Sequence, residues 1–170
     1  ESAWIGHLWA LLAESQVRQK KYDAVMATAE KARSWKADSP THYMVDEVVG
    51  RAWKNQAKFT EALTAFTRVI ESETGSRTET SAKAQLMIAE IHLLQKKYTE
   101  ARDGYLKVYF LYKFPEWQAP ALFQAGQCEE QIGSKESLDG ARKWYQTLQT
   151  EFGATDYAKR AAERLKKLAG

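Results

Sequence analysis

The sequence predicts an all-α protein. The chain has 170 residues, of which only three are proline and nine are glycine, so helices meet few residues that break them. Alanine, lysine, glutamate, glutamine and leucine, which favour helix, are abundant. In addition, small and aromatic residues recur at one spacing along the chain, which is typical of paired helices that repeat.

Four small residues mark the repeat: Ala13, Gly50, Ala89 and Gly126. After each of the first three, the next members follow nine, twelve and sixteen residues later. These sets are Tyr22, Val25 and Ala29; Phe59, Ala62 and Phe66; and Tyr98, Ala101 and Tyr105. In the fourth copy Leu138 comes twelve residues after Gly126, so three residues are inserted before the frame resumes with Ala141 and Tyr145.

This spacing has a specific physical meaning. Residues three and four apart lie on one helix face, so Tyr98, Ala101 and Tyr105 form a stripe. The small residue belongs to the preceding helix, where it lets two antiparallel backbones approach closely under the aromatic ring. The pattern therefore predicts helical hairpins.

Nine helices are predicted along the chain. Their ranges are 3–18, 22–36, 41–56, 59–73, 79–95, 98–113, 117–132, 137–151 and 155–169. The stretch 71–81 is polar and contains Gly75, so it is predicted to be a loop.

The copies resemble the tetratricopeptide repeat (TPR), whose pattern runs Trp-x-x-Leu-Gly-x-x-Tyr, then Ala-x-x-x-Phe, then Pro. The first part is represented by Trp9-x-x-Leu12-Ala13, Val49-Gly50-x-x-Trp53, Ile88-Ala89-x-x-His92 and Ala125-Gly126. The second part is represented by Ala62 to Phe66, Ala101 to Tyr105 and Ala141 to Tyr145, and prolines follow at Pro40 and Pro115. The intervals from Tyr22 to Phe59 and from Phe59 to Tyr98 are 37 and 39 residues, longer than the usual 34.

The resemblance implies a right-handed α-α superhelix of about four TPR hairpins. We expect residues 1–170 to form one array, with hairpins at about 3–36, 41–73, 79–113 and 117–151 and a capping helix at 155–169. Trp4, Leu8 and Leu11 are apolar beyond the needs of the first hairpin, so we expect earlier repeats before them.

Two segments, 114–119 and 152–158, resemble junctions in bacterial envelope members of the family. Those members include proteins similar to the TolA-binding cell-division coordinator and to the BamD assembly lipoprotein. This likeness favours a bacterial periplasmic or cell-envelope location.

Composition and motifs argue against several classes of function. The formal net charge of +3 is accounted for by the basic segment 155–170, so the body lacks the basic stripe of a nucleic-acid binder. No apolar run is long enough to insert into a membrane. The three histidines form no zinc motif, no glycine-rich phosphate loop is present, and Cys128 is predicted to be a buried, inert thiol. We therefore expect no enzyme activity, no metal and no cofactor.

The resemblance implies that the first helix of each hairpin lines a concave groove. The candidate groove residues, found by stepping three or four residues from the small anchors, are His7, Glu14, Met44, Glu47, Arg51, Lys54, Lys83, Glu90, Phe123 and Gln127. The alternative for each is a merely solvated face. The Lys/Asn clamp of chaperone-binding members is absent, so a polar or amphipathic peptide is the expected ligand.

A second candidate surface is aromatic. Phe110 falls opposite the stripe that contains Tyr105, and Phe114 and Trp117 flank Pro115. These rings predict either a surface for self-association or a partner, or additional packing between the third and fourth hairpins.

The function expected from these observations is a protein–protein interaction scaffold or adaptor that binds another protein or a peptide in its groove. The alternative is a structural spacer or an oligomerisation segment of a larger envelope protein.

Overall fold

The computed structural model describes residues 2–37 and 39–169, and this part of the chain is helical without a strand. Its nine helices are α1 (Ser2–Arg18), α2 (Tyr22–Trp35), α3 (His42–Asn55), α4 (Phe59–Glu71), α5 (Glu79–Leu94), α6 (Tyr98–Leu111), α7 (Pro115–Ile132), α8 (Lys135–Glu151) and α9 (Asp156–Ala169). No predicted helix end differs from these by more than two residues. The all-α prediction is confirmed.

The helices group into two compact units, Glu1–Met87 and Ile88–Gly170, and the division falls within α5. In the first unit, α1 packs on α2, α3 packs against both, and α4 packs on α3. In the second unit, α6 packs on α7, α7 packs on α8, and α9 packs against α7 and α8. The pairs α1–α2, α3–α4 and α7–α8 match three predicted hairpins, and their assembly into one superhelical array stays a prediction.

The four turns after the small anchor residues each have one residue with positive φ. Lys20, Ala57, Lys96 and Gly133 have positive φ, between 58° and 74°, and each lies seven residues after a small anchor residue. In the first three turns the following amide donates to the carbonyl five residues earlier, from Lys21 to Gln16, from Lys58 to Trp53 and from Lys97 to His92. This is the Schellman motif, which satisfies the last carbonyls of a helix. The repeat is therefore present in the backbone as well as in the side chains.

The small anchors allow the predicted close approach of helices. A Cβ atom added to Gly50 would lie 2.5 Å from Cε1 of Phe66, and one added to Gly126 would lie 2.5 Å from Cε1 of Tyr145. Phe66 and Tyr145 are fully buried. In both hairpins an aromatic ring of the second helix thus lies directly on the backbone of the first, as the sequence pattern predicts.

The three inserted residues of the fourth copy lie inside α8. Like α2, α4 and α6, this helix begins nine residues after the small anchor, but it has 17 residues where those have 13 or 14. Three residues make nearly one helical turn, so Ala141 and Tyr145 still face α7. The expected start at residue 137 is corrected to Lys135, because Ser134 caps the helix by accepting from the Ser137 amide at 3.1 Å.

Carboxylates that are buried or half-buried connect packed helices in both units. Asp46 of α3 accepts from Arg33 of α2 and, at 3.3 Å, from Arg68 of α4. In the second unit Glu130 of α7 accepts from Tyr145 of α8 and, at 2.9 Å, from Nε of Arg164 in α9. Each carboxylate therefore sets the position of two neighbouring helices at once.

Replacing Ala57 with glycine is expected to stabilise the protein. An L-residue in the left-handed region costs about 1–2 kcal/mol, and Ala57 is exposed, so its methyl group contributes no buried packing. After the entropic cost of glycine, the net gain in the free energy of unfolding is about 0.5–1 kcal/mol. Urea unfolding measures this gain. The matched variant is Gly133→Ala, which should lower the free energy of unfolding, because it places an alanine at a position of positive φ. Destabilisation by Ala57→Gly would contradict the positive φ.

Candidate functional site

Three of the predicted groove residues meet in one ion cluster of the first unit. Nη2 of Arg51, on α3, donates to Oε2 of Glu14, on α1, and lies 3.1 Å from Oε2 of Glu47. Nε of Arg51 lies 2.8 Å from Oε1 of Glu47. Arg18 adds a second cation, with its Nε 2.9 Å from Oε1 of Glu14. Arg51 therefore joins α1 to α3, and its charge is already paired within the protein.

The two carboxylates of this cluster have different environments. Glu47 is buried, and the loss of solvent raises its pKa although Arg51 acts in the opposite direction. Glu14 is less buried, and the hydrogen bond from Arg51 lowers its pKa despite some desolvation. Desolvation therefore dominates at Glu47, whereas the hydrogen bond from Arg51 dominates at Glu14.

The other predicted groove residues of the first unit are more accessible. His7 is exposed on α1, and Met44 is half-buried near the start of α3. Nζ of Lys54 lies 3.3 Å from Sδ of Met87, and Nζ of Lys83 lies 2.8 Å from Oε1 of Glu79. Lys54 and Lys83 therefore both contact other side chains of the protein.

The second unit contains an open depression beside α7, with a volume of about 430 Å³. Its lining includes three glutamines of α7 that recur at intervals of three and four residues, so their amides share one helix face. The rest of the lining comes from the end of α5, the following turn and the start of α6. We call this feature the glutamine depression; its lining is Leu93, Leu94, Lys96, Tyr98, Gln124, Gln127 and Gln131.

Gln127 is the one glutamine of the depression among the candidate groove residues. The row that it forms with Gln124 and Gln131 is visible in the sequence as a three- and four-residue spacing, and this signal could have identified the other two. Leu94 is 61% exposed, so the depression offers apolar surface next to amides that both donate and accept hydrogen bonds.

Phe123 requires a correction, because it does not line an open groove. Its side chain is 2% exposed, and its ring centroid lies 5.7 Å from that of Tyr145 and 5.9 Å from that of Tyr157. The guanidinium of Arg160 lies 4.3 Å from the same ring. Tyr157 and Arg160 belong to α9, so the final helix covers the position that the spacing assigned to the groove.

Glu90, the remaining predicted groove residue, is half-buried on α5. Burial raises the pKa of the neighbouring Tyr105, and the charge of Glu90 adds to that effect. Glu90 is therefore close to a core tyrosine.

The predicted aromatic surface is divided between exposed and packed rings. Phe110 is 64% exposed, with its centroid 4.8 Å from Tyr109 and 6.1 Å from Trp144. Phe114 and Trp117 are half-buried. Leu111, which the prediction omitted, is 67% exposed beside Phe110. The exposed part of this aromatic region therefore lies at the end of α6.

Groups with chemical reactivity are few in the part of the chain that the structure describes. Cys128 is fully buried, and burial raises the pKa of its thiol to about 12. Within residues 2–37 and 39–169 no three potential metal ligands are grouped together. None of the described helices has the length and apolar character needed to cross a membrane.

Comparison of the chain with protein-family models finds no match, and comparison with curated proteins finds none either.

Glu14 and Glu47 are expected to titrate on opposite sides of the ordinary glutamate value of 4.5. The lowered pKa of Glu14 adds stability above 4.5 that is lost as the pH falls through the folded-state value. The folded state keeps the Glu47 carboxyl protonated up to a higher pH than the unfolded state does. The stability that this raised pKa gives is therefore present below pH 4.5 and is lost as the pH rises through the raised pKa. NMR of the side-chain carboxyl carbons measures the titration midpoints of Glu14 and Glu47. The variants Glu14→Gln and Glu47→Gln identify which signal belongs to which residue.

The urea-unfolded chain is the control for this titration, because both carboxyls then lose contact with Arg51. A folded-state midpoint for Glu47 at or below that of Glu14 would contradict the described cluster.

Proposed function

We propose that this chain is a TPR-type protein-interaction module that binds an amphipathic peptide segment of a partner protein in the glutamine depression. The TPR assignment is supported by the four turns in equivalent register and by the aromatic rings that cover Gly50 and Gly126. Binding, without chemical conversion of the ligand, is the activity proposed.

The main support for the proposal is that hydrogen-bonding amides and apolar side chains line the same depression. Gln124, Gln127 and Gln131 offer donors and acceptors suited to peptide groups, while Leu93 and Leu94 offer apolar contact. Neutral amides lose less solvation free energy on binding than charges do, so such a site can exchange water for a peptide at modest cost.

The ion cluster of the first unit is less suited to this role. Arg51 already pairs with Glu14 and Glu47, so a ligand that recruited Arg51 would leave a buried carboxylate without its partner. We assign this cluster to structure, where it holds α1 against α3. The peptide site proposed thus lies among residues 93–131.

A structural spacer or an oligomerisation segment of a larger envelope protein is the second candidate function. The exposed apolar side chains of α1 and α6 favour it. The envelope location itself remains the proposal drawn from the junction-like segments 114–119 and 152–158.

The double variant Gln124→Ala/Gln127→Ala tests the first proposal. Each lost hydrogen bond costs about 1 kcal/mol, so the affinity for a captured partner should fall about tenfold or more. Partners are captured from native extract by the wild-type chain, purified, and their affinities measured by calorimetry. The matched control is Gln146→Ala/Gln149→Ala, which removes two exposed amides from α8.

The proposal is supported if Gln124→Ala/Gln127→Ala weakens binding of the partner while the control variant retains it. Equal affinity of both variants for every captured partner would contradict it, provided that circular dichroism shows both to be folded.

A further inference from the structure

The outer side of α6 ends in an exposed apolar pair that lies next to α8. Phe110 and Leu111 are 64% and 67% exposed. The Phe110 ring meets the ring of Trp144, on α8, edge to face, with 6.1 Å between the centroids. Trp144 is 9% exposed, so Phe110 rests on a ring that is packed into the second unit. Because α6 has described helices before and after it in the chain, these two residues are not exposed by a chain end.

Two lysines flank the apolar pair. Lys107 precedes Phe110 by three residues and Leu111 by four, which places all three on one side of α6. Nζ of Lys143, on α8, lies 4.7 Å from the centroid of the Trp144 ring. We call this surface the α6–α8 patch; its members are Lys107, Phe110, Leu111, Lys143 and Trp144.

The lysines of the α6–α8 patch have no acidic partner. Both are exposed, and neither forms an ion pair with a carboxylate in the part of the chain that the structure describes. A carboxylate near the patch, that of Glu151, is held by a different group, since the Tyr109 hydroxyl lies 2.8 and 2.9 Å from its two oxygens. Tyr109 is in contact with Phe110, with ring centroids 4.8 Å apart. Both ammonium groups can therefore pair with carboxylates of a ligand.

We propose that the α6–α8 patch binds an acidic amphipathic segment of a partner protein. Apolar side chains of the segment pack on Phe110 and Leu111, while its carboxylates pair with Lys107 and Lys143. Exposed ion pairs contribute little individually, so the lysines mainly select the sign of the ligand charge, and the apolar contact supplies most of the affinity.

The α6–α8 patch is separate from the glutamine depression. Phe110 follows Tyr98, which lines the depression, by twelve residues of the same helix, or about 18 Å along its axis. The two surfaces have no residue in common, so the two proposals can fail independently.

Two other occupants fit the α6–α8 patch less well. Phe110 and Leu111 together expose roughly 250 Å² of apolar surface, compared with ~800 Å² per partner in a standard stable interface. A second copy of the chain would also bring lysines close to lysines across a twofold axis. An anionic membrane surface would meet the exposed Glu100 and Asp103, which lie on the same stripe of α6 as Lys107. A peptide segment can end before it reaches those carboxylates.

Two synthetic peptides test the proposal on the whole chain. The acidic probe is a fluorescently labelled amphipathic peptide of leucine, alanine and glutamate, about 18 residues long so that it can form a helix. The basic probe has lysine in place of every glutamate. Fluorescence anisotropy measures the Kd of each. The wild type should bind the acidic probe at least about tenfold more tightly than the basic probe, and added salt should weaken that binding.

Charge reversal tests the role of the two lysines. Lys107→Glu/Lys143→Glu should weaken binding of the acidic probe at least about tenfold and should strengthen binding of the basic probe. The matched control is Lys166→Glu/Lys167→Glu, which makes the same change in net charge at two exposed lysines of α9 and should alter the affinity by no more than about twofold.

Two further variants separate the apolar contact and the second binding surface. Phe110→Ala should weaken binding of the acidic probe about fivefold or more while the preference for that probe remains. Gln124→Ala/Gln127→Ala should bind the acidic probe as the wild type does, because the glutamines lie outside the α6–α8 patch. Circular dichroism checks that every variant is folded.

The proposal is overturned if the wild type binds neither probe up to about 1 mM, or binds both equally. Equal loss of the acidic probe in Lys107→Glu/Lys143→Glu and in the α9 control would also overturn it, as would loss in Gln124→Ala/Gln127→Ala. Binding to phosphatidylserine vesicles without binding to the acidic probe would assign the patch to a membrane surface instead. A dimer in sedimentation velocity that Phe110→Ala abolishes would assign it to a second copy of the chain.

Discussion

The structure depends on one close contact, in which an aromatic ring of the second helix of a hairpin lies on the backbone of the first helix. Phe66 over Gly50 and Tyr145 over Gly126 leave no space for a Cβ atom. In both hairpins a residue seven positions after the glycine adopts positive φ, and the turns after Ala13 and Ala89 share this feature. The helix ends, the turns and the starts of the next helices therefore recur at one spacing.

Ion pairs add a second set of constraints on top of this contact. Asp46, Glu130 and the pair of Glu14 with Glu47 each connect helices that pack against one another. Desolvation offsets much of the attraction in such partly buried pairs, so their net contribution to the free energy of folding is small. Their geometric effect is larger, because bidentate arginines accept few orientations. Arg164 on Glu130 illustrates this, since it fixes α9 over Phe123.

Much of the fold could be predicted from the sequence, because the small and aromatic residues report the helix contact directly. The turns could not, since Lys20, Ala57 and Lys96 are not residues that normally indicate positive φ. There the Schellman hydrogen bonds stabilise a conformation that local preference disfavours.

The candidate site was less predictable because it depends on contacts between helices. Stepping from the anchors identified Gln127, but it also selected Arg51, whose charge is paired inside the protein, and Phe123, which α9 covers. Neither the ion pairs of Arg51 nor the packing of α9 over Phe123 leaves a periodic signal in the sequence. Leu94, the exposed leucine beside the glutamines, belongs to the end of α5, so its proximity to α7 also had no local signature.

The central contact is tested most directly by the stability of Gly50→Ala, measured by urea unfolding in the wild-type and Phe66→Leu backgrounds. Alanine is preferred over glycine in a helix by about 1 kcal/mol, so an unobstructed site would gain stability. A Cβ atom against Phe66 should instead lower the free energy of unfolding by about 1–3 kcal/mol, and Phe66→Leu should relieve much of that loss. Stabilisation by Gly50→Ala in the wild-type background would contradict the account.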